Sequence, residues 1–180
     1  DQDQGDGQGC FNAARLSEAQ AIHSFVTNLQ ASTGHQRVVL LGDFNAYSQE
    51  DPIFSLTSLG YTDLAARFSN LPYSYVFDGE SGALDHAVAT PEFNQLVTGT
   101  SEWHVNADEP FVIDYNLEFK QPACAACGPD LYSATPYRSS DHDPLLIGLN
   151  LVKPITGTSR GDSITGTPGD DRITGGEGAD

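Results

Sequence analysis

RVVLLGDFN, residues 37–45, reads as a buried strand that runs straight into a polar turn. Val38 to Leu41 form an unbroken apolar run containing β-branched residues. Such a run, stopped by Gly42-Asp43, predicts a strand covered on both faces. Upstream, Ala19, Ile22, Val26 and Leu29 recur at three- and four-residue steps, which predicts a helix preceded by Asn12 and ended by Gly34. Downstream come a polar loop, NAYSQEDP, and a short helical stretch ending at Gly60. YSYVFDGESGALDHAVAT, residues 73–90, predicts a hairpin whose two strands are separated by Asp78 to Gly82. Thr98 to Tyr137 is irregular and rich in Asn, Pro and Cys, and SSDHDPLLIGLNLV, residues 139–152, is a polar loop leading into a closing strand. Helix, buried strand, hairpin and closing strand in one chain predict a mixed α/β (α+β) domain with sheet in its core.

The 180 residues include 25 acidic and 8 basic ones, a formal net charge of -17, which excludes a generally basic nucleic-acid coat or a polybasic membrane module. No apolar run approaches the roughly 20 residues needed to cross a bilayer. There is no Met, the opening DQDQGDGQGC has no apolar signal segment, and the closing GGEGAD stops partway through a repeat, so the chain is expected to be an internal piece of a longer protein. Cys10 lies in an acidic, Gly-rich loop, and as the odd one of three it reads as either a free thiol or one paired with a cysteine upstream. Cys124 and Cys127, in CAAC, could form a local disulfide, half of a zinc site or a redox motif. No second Cys/His pair follows to complete a zinc site, and flanking Pro122 and Gly128-Pro129 do not suit a redox helix start, which favours a disulfide made in an oxidising compartment.

From Lys153-Pro154 onward the composition turns to Gly, Thr, Ser and Asp. GTSRGDSIT (157–165), GTPGDDRIT (166–174) and GGEGAD (175–180) align on a nine-residue period, with Asp162, Asp171 and Asp180 at one phase and Ile164 and Ile173 two residues later. This resembles the nonapeptide repeat of hemolysin-type calcium-binding arrays, which form a parallel β-roll. Gly permits the tight turns, Asp and turn carbonyls offer hard oxygen ligands for Ca²⁺, and Ile is expected to stack inward. The alternative is a flexible Gly/Ser/Thr linker. Arg160 stands where the repeat prefers Gly, and with fewer than three full repeats the tail is expected to lack order without a continuation. The expected division is 1–152 for the α/β domain, 153–156 for a linker and 157–180 for the repeats.

Three short motifs place carboxylate, amide or imidazole beside predicted strands: GDFN (42–45), LDHA (84–87) and SDHDP (140–144). Taken alone, GDFN reads as a turn closing a strand, LDHA as an ion pair within the sheet and SDHDP as a capping or turn cluster. Together they fit hydrolysis of a phosphodiester, which needs a group to position and deprotonate water, a donor to the phosphoryl oxygens and positive charge against the developing negative charge. Asp43 can orient a water. Asn45, on the same side if the chain stays extended, can donate to a phosphoryl oxygen. His142 can stabilise the phosphoryl group or move a proton if a carboxylate fixes its tautomer, and Asp85 is the candidate for that carboxylate. Asp141 can hold Mg²⁺ or Mn²⁺, since Mg²⁺ takes few protein carboxylates and keeps several waters. Arg138, just before this loop, can touch phosphate or form a surface ion pair.

The ordered set GDFN, LDHA and SDHDP resembles the second half of the endonuclease/exonuclease/phosphatase superfamily, the DNase I-like fold. GQGCFNAAR, LGDFNAYSQEDPI, YSYVFDGESGALDHAVA, EWHVNADEP and YRSSDHDPLLIGL are similar to its large extracellular bacterial nuclease branch, over most of residues 7–150. The resemblance implies an incomplete four-layer α/β sandwich followed by the beginning of a calcium-bound parallel β-roll. It also implies a secreted nuclease with catalytic Asp43, Asn45, Asp85 and His142, a metal at Asp141 and Ca²⁺ at Asp162, Asp171 and Asp180. His86, where other members often differ, is expected to be a substrate-cleft or structural histidine. The Asn and Glu that bind the family's principal metal have no counterpart in this stretch, so residues 1–180 are expected to lack full activity. The substrate is expected to be DNA, or RNA, with no membrane span and no protein partner implied. The rivals are a phospholipid or sugar-phosphate phosphodiesterase of the same superfamily, and a non-catalytic calcium-dependent surface protein. Acidity does not exclude a polyanionic substrate, because salt screens repulsion beyond about 10 Å at 0.1 M and divalent cations reverse the local sign.

Overall fold

Along the chain of the computed structural model, which describes residues 2–113, 135–166 and 171–177, the elements are α1 (Asn12–Thr33), β1 (Val39–Asp43), α2 (Asp51–Ser58), β2 (Thr62–Asp63), α3 (Leu64–Phe68), β3 (Tyr75–Phe77), β4 (Glu80–Gly82), β5 (Asp85–Ala89), α4 (Pro91–Asn94), β6 (Val97–Glu102), a 3₁₀ turn (Phe111–Ile113), β7 (Leu145–Leu149), β8 (Lys153–Thr156) and β9 (Asp171–Thr174). They fall into two units, Asp1–Gly148 and Leu149–Asp180. Cys124, Cys127 and Asp180 lie outside the described residues. Cys10 is exposed, with its thiol free. Among the described residues no helix is long and apolar enough to cross a membrane.

In the first unit the sheet order is β1-β5-β2, with β1 antiparallel to β5. Strand side chains alternate between faces, and the two faces bury different partners. Val38, Leu40 and Phe44 turn to a cluster of Ala19, Val26, Leu56, Tyr61 and Val88, where α1 and α2 cover the sheet. Val39 turns the other way, with Ala87, Ala89, Leu64 and Val97, against Leu145 and Ile147 of β7. The sheet is therefore layered between helices and the β6-β7 pair. The expectation of a strand covered on both faces holds only at its start. Leu41 continues the second face beyond that cover and is 62% exposed.

Asn12 is the first residue of α1, and the residue before it is Phe11 in a left-handed conformation; Gly34 ends the helix as expected, its N–H donating to the Gln30 carbonyl. The hairpin differs from its sequence reading. Asp78 and Gly79 both have positive φ, the condition for the tight turn that Asp-Gly favours, so Glu80–Gly82 is the returning strand. DHAVA instead leaves the hairpin and enters the main sheet.

In the second unit, β8 and β9 pair in parallel with Lys153 opposite Asp171 and Ile155 opposite Ile173, an offset of two nine-residue periods. Residues 153–156, expected as a linker, thus form a strand, and the expected lack of order is not what the described residues show. Gly157 and Gly166 each lie against the carboxylate five residues on, Asp162 and Asp171, so close that a Cβ would meet it at 3.0 and 2.7 Å. Ile173 stays half exposed instead of packing fully inward.

Candidate active site

Where β1 ends and β5 begins, Asp43 stands opposite Asp85 and Gly42 opposite His86. Residues directly opposite share a face. Asp43 and Asp85 therefore lie on the β7 side of the sheet, where the loop preceding β7 delivers His142. Its Nδ1 is 2.6 Å from Asp85 Oδ2. A carboxylate only accepts, so Nδ1 carries the proton and Nε2 is directed away from Asp85, free to take or give one. Ser74 adds a second donor. Its Oγ accepts the N–H groups of Leu84 and Asp85, so its own proton goes to Asp85 Oδ2 at 2.7 Å. Like charges facing each other across strands are destabilising, and these hydrogen bonds offset that cost for Asp85.

Asp43 makes a turn with the residue two on: Oδ1 accepts the Asn45 N–H at 2.7 Å and Oδ2 accepts Asn45 Nδ2 at 3.2 Å. The chain does not stay extended here, because Asn45 has φ 46. The amide still reaches the Asp43 side, by the turn instead of by strand alternation, and its second N–H remains for a ligand. Arg15 of α1 braces the turn from behind, donating to the Asn45 carbonyl at 2.7 Å while paired with Glu50.

The loop that carries His142 is fixed by the EWHVNADEP segment. Asp143 is buried; its Oδ1 accepts the backbone N–H groups of Val105, Asn106 and Ala107, and its Oδ2 lies 2.8 Å from His104 Nδ1. Asn106 Nδ2 donates to the His142 carbonyl at 2.7 Å, and the Ser74 carbonyl accepts the Asp143 N–H at 2.8 Å. The backbone on both sides of the imidazole is thereby held, and the Tyr75 ring packs against it at 4.7 Å between centroids.

Two expected site residues lie elsewhere. His86 is 1% exposed on the helix-covered face, with Nδ1 3.0 Å from Asp63 Oδ2 and Nε2 2.9 Å from the Ala46 carbonyl. One residue's step along β5 turns it away from Asp85, and its burial fits the structural of the two roles expected for it. Arg138 is 3% exposed and donates to the Asn106 carbonyl at 2.8 Å, so it braces the loop and is not displayed at the surface for phosphate. Asp141 is half-buried in the loop before His142. As a hard oxygen donor beside the imidazole it suits Mg²⁺ or Mn²⁺ in kind. Among the described residues no group of three or more His, Cys, Asp or Glu side chains forms a metal cluster, so the donor set present is partial. Sequence reading passed over Ser74, Asn106 and Asp143. Their roles depend on contacts across the fold, and a serine in YSYVF or a second Asp in SDHDP carries no mark of them.

No curated protein and no solved structure matches the chain. Residues 7–142, which hold the strand-end carboxylates, Asn45 and the imidazole, match the model of the Endonuclease/Exonuclease/phosphatase family, whose members typically hydrolyse phosphoester bonds and generally depend on a divalent metal, and the chain belongs to that family.

Proposed function

We propose that the protein is a secreted, metal-dependent phosphodiesterase that hydrolyses DNA, or RNA, without strong sequence preference. The observation that carries this reading is the Asp85–His142 pair set beside Asp43 and Asn45 on one face of the sheet. Asp43 orients the attacking water and draws off its proton. Asn45 donates an N–H to a phosphoryl oxygen. His142, its Nδ1 proton committed to Asp85, presents Nε2 to the phosphoryl group, donating when protonated and accepting when neutral. Asp141 contributes a carboxylate to a divalent ion, which when bound supplies positive charge beside the phosphate. Plasmid DNA incubated with the full-length protein that contains this chain and Mg²⁺ or Mn²⁺ is expected to be cut, and excess chelator to stop it. Cleavage that persists in chelator removes the metal, and no cleavage with either ion removes the nuclease.

The repeat unit is proposed to bind Ca²⁺ through Asp162, Asp171 and Asp180. Support comes from the equivalent placing of Asp162 and Asp171 against their glycines and from the two-period offset of β8 and β9. Circular dichroism of the protein with its full repeat array is expected to gain β signal on calcium titration, with a midpoint at about 10⁻⁴ to 10⁻³ M. A flat titration to millimolar calcium rules this out.

A further inference from the structure

A cleft of 690 Å³ is lined by Tyr47, Gln49, Asn70, Leu71, Tyr73 and Ser81, among others. None of Asp43, Asn45, Asp85 and His142 lines it, yet three of its residues lie one or two positions from Asn45, Asp85 or Ser74, the donor to Asp85. Tyr47 follows Asn45 by two residues, Tyr73 precedes Ser74, and Ala83 precedes Asp85 by two. In a chain of net charge -17 its lining is unusual: among the described residues no Asp, Glu, Lys or Arg contributes to it.

The lining is aromatic, amide and hydroxyl. Tyr47 is 39% exposed, and its ring rests on Gly82 so closely that a Cβ there would come within 2.5 Å of Cε1. Tyr73 stacks on His104 at 4.0 Å between centroids and donates to Asp108. Burial, the Asp108 hydrogen bond and the charges of Asp108, Asp143 and Glu102 push its phenol up to about 12, so it stays neutral. A cleft without Lys or Arg offers a phosphate no charge pairing, and one without carboxylates does not repel one nearby. Tyrosine faces with amide donors and acceptors suit a flat, uncharged, hydrogen-bonding ring.

We propose that this cleft is a base-binding subsite, seating a nucleobase of the polynucleotide next to the scissile phosphate, with Tyr47 as its stacking face and Asn70 and Gln49 at the base edge. The inference rests on the nuclease reading and adds the part of the substrate that the phosphate site does not touch. It makes Tyr47 a substrate-affinity residue, outside the bond-breaking step.

The test compares an oligothymidylate with an abasic oligomer of equal length, which keeps the phosphates and lacks the rings. The full-length wild-type protein with Mg²⁺ is expected to show a KM about tenfold lower for the base-bearing oligomer, the size one base–aromatic stack supports. Tyr47→Ala is expected to erase that difference and Tyr47→Trp to preserve it, which separates lost stacking from lost folding. Equal KM values for both oligomers in the wild type, or a preference that survives Tyr47→Ala, overturns the subsite while leaving the nuclease intact. If neither oligomer is cut, the nuclease reading fails and the subsite with it.

Discussion

Replacing His142 by alanine is expected to lower kcat/KM for phosphodiester cleavage by at least about 10²–10³-fold, equivalent to about 2.7–4 kcal/mol of barrier, the usual loss for one preorganised group acting on developing charge. The size follows from how little freedom the imidazole has. Nδ1 is held by Asp85, the carbonyl by Asn106 and the next N–H by Ser74, so no reorganisation is needed when charge develops at Nε2. Asp85→Asn is expected to hurt for a different reason. Its amide can donate to Nδ1, which stabilises the tautomer whose proton sits on Nε2 and removes the base. The two variants should therefore fail in rate without failing in fold: both keep the native melting temperature within a few degrees, and the double variant is no slower than His142→Ala alone. Steady-state rates for the four proteins decide it. A His142→Ala protein of near-native activity means the imidazole is not part of the reaction.

The parts of this site that the sequence discloses are those whose signal is local. GDFN follows an apolar run, and a strand that stops at Gly42-Asp43 must put polar groups at the sheet's end. SDHDP precedes another apolar run for the same reason. The pairing that brings them together is not local. Asp43 faces Asp85 from 42 positions away in the chain, and only the antiparallel register of β1 with β5 sets which residue of LDHA looks at which face. That is why Asp85 and His86, adjacent in sequence, end on opposite sides of the sheet with different work. The hairpin is ambiguous in sequence because two strand-like runs flank the Gly-containing segment Asp78 to Gly82. Asp78-Gly79 is itself the turn, and the chain after Gly82 had no local mark telling it to leave for the main sheet. Arg15 illustrates the same limit: GQGCFNAAR belongs to the resemblance, but only the fold shows that its arginine holds the Asn45 carbonyl.

His86 carries the second large effect, on stability. Burial alone would push its pKa down. The Asp63 hydrogen bond and charge, the Ala46 carbonyl and the charge of Asp85 outweigh that, and the pKa ends above the ordinary 6.5. Both ring nitrogens face acceptors, Asp63 Oδ2 and Ala46 O, which an imidazolium satisfies and a neutral ring does not. His86→Leu leaves the Asp63 carboxylate, 7% exposed, without its cation, and the Ala46 carbonyl without its donor. Breaking a buried pair in this way costs about 3–5 kcal/mol. Because the folded-state pKa is raised, the contribution is fully present below the unfolded pKa and is lost as pH rises through the folded one. Urea unfolding at a series of pH values is thus expected to show the gap between wild type and His86→Leu widest on the acid side of neutrality and shrinking as the solution becomes alkaline. Adding Asp63→Asn to His86→Leu is expected to recover a large part of the loss. Asparagine keeps the cap that Asp63 gives to the N–H groups of Ala65 and Ala66 at the start of α3, and it removes the stranded charge. A gap that stays constant across the pH series shows that folding does not raise the His86 pKa, and a gap that narrows toward acid shows that the ring is neutral in the folded protein. A double variant no more stable than His86→Leu shows that the loss comes from the cavity and the unpaired carbonyl, not from Asp63.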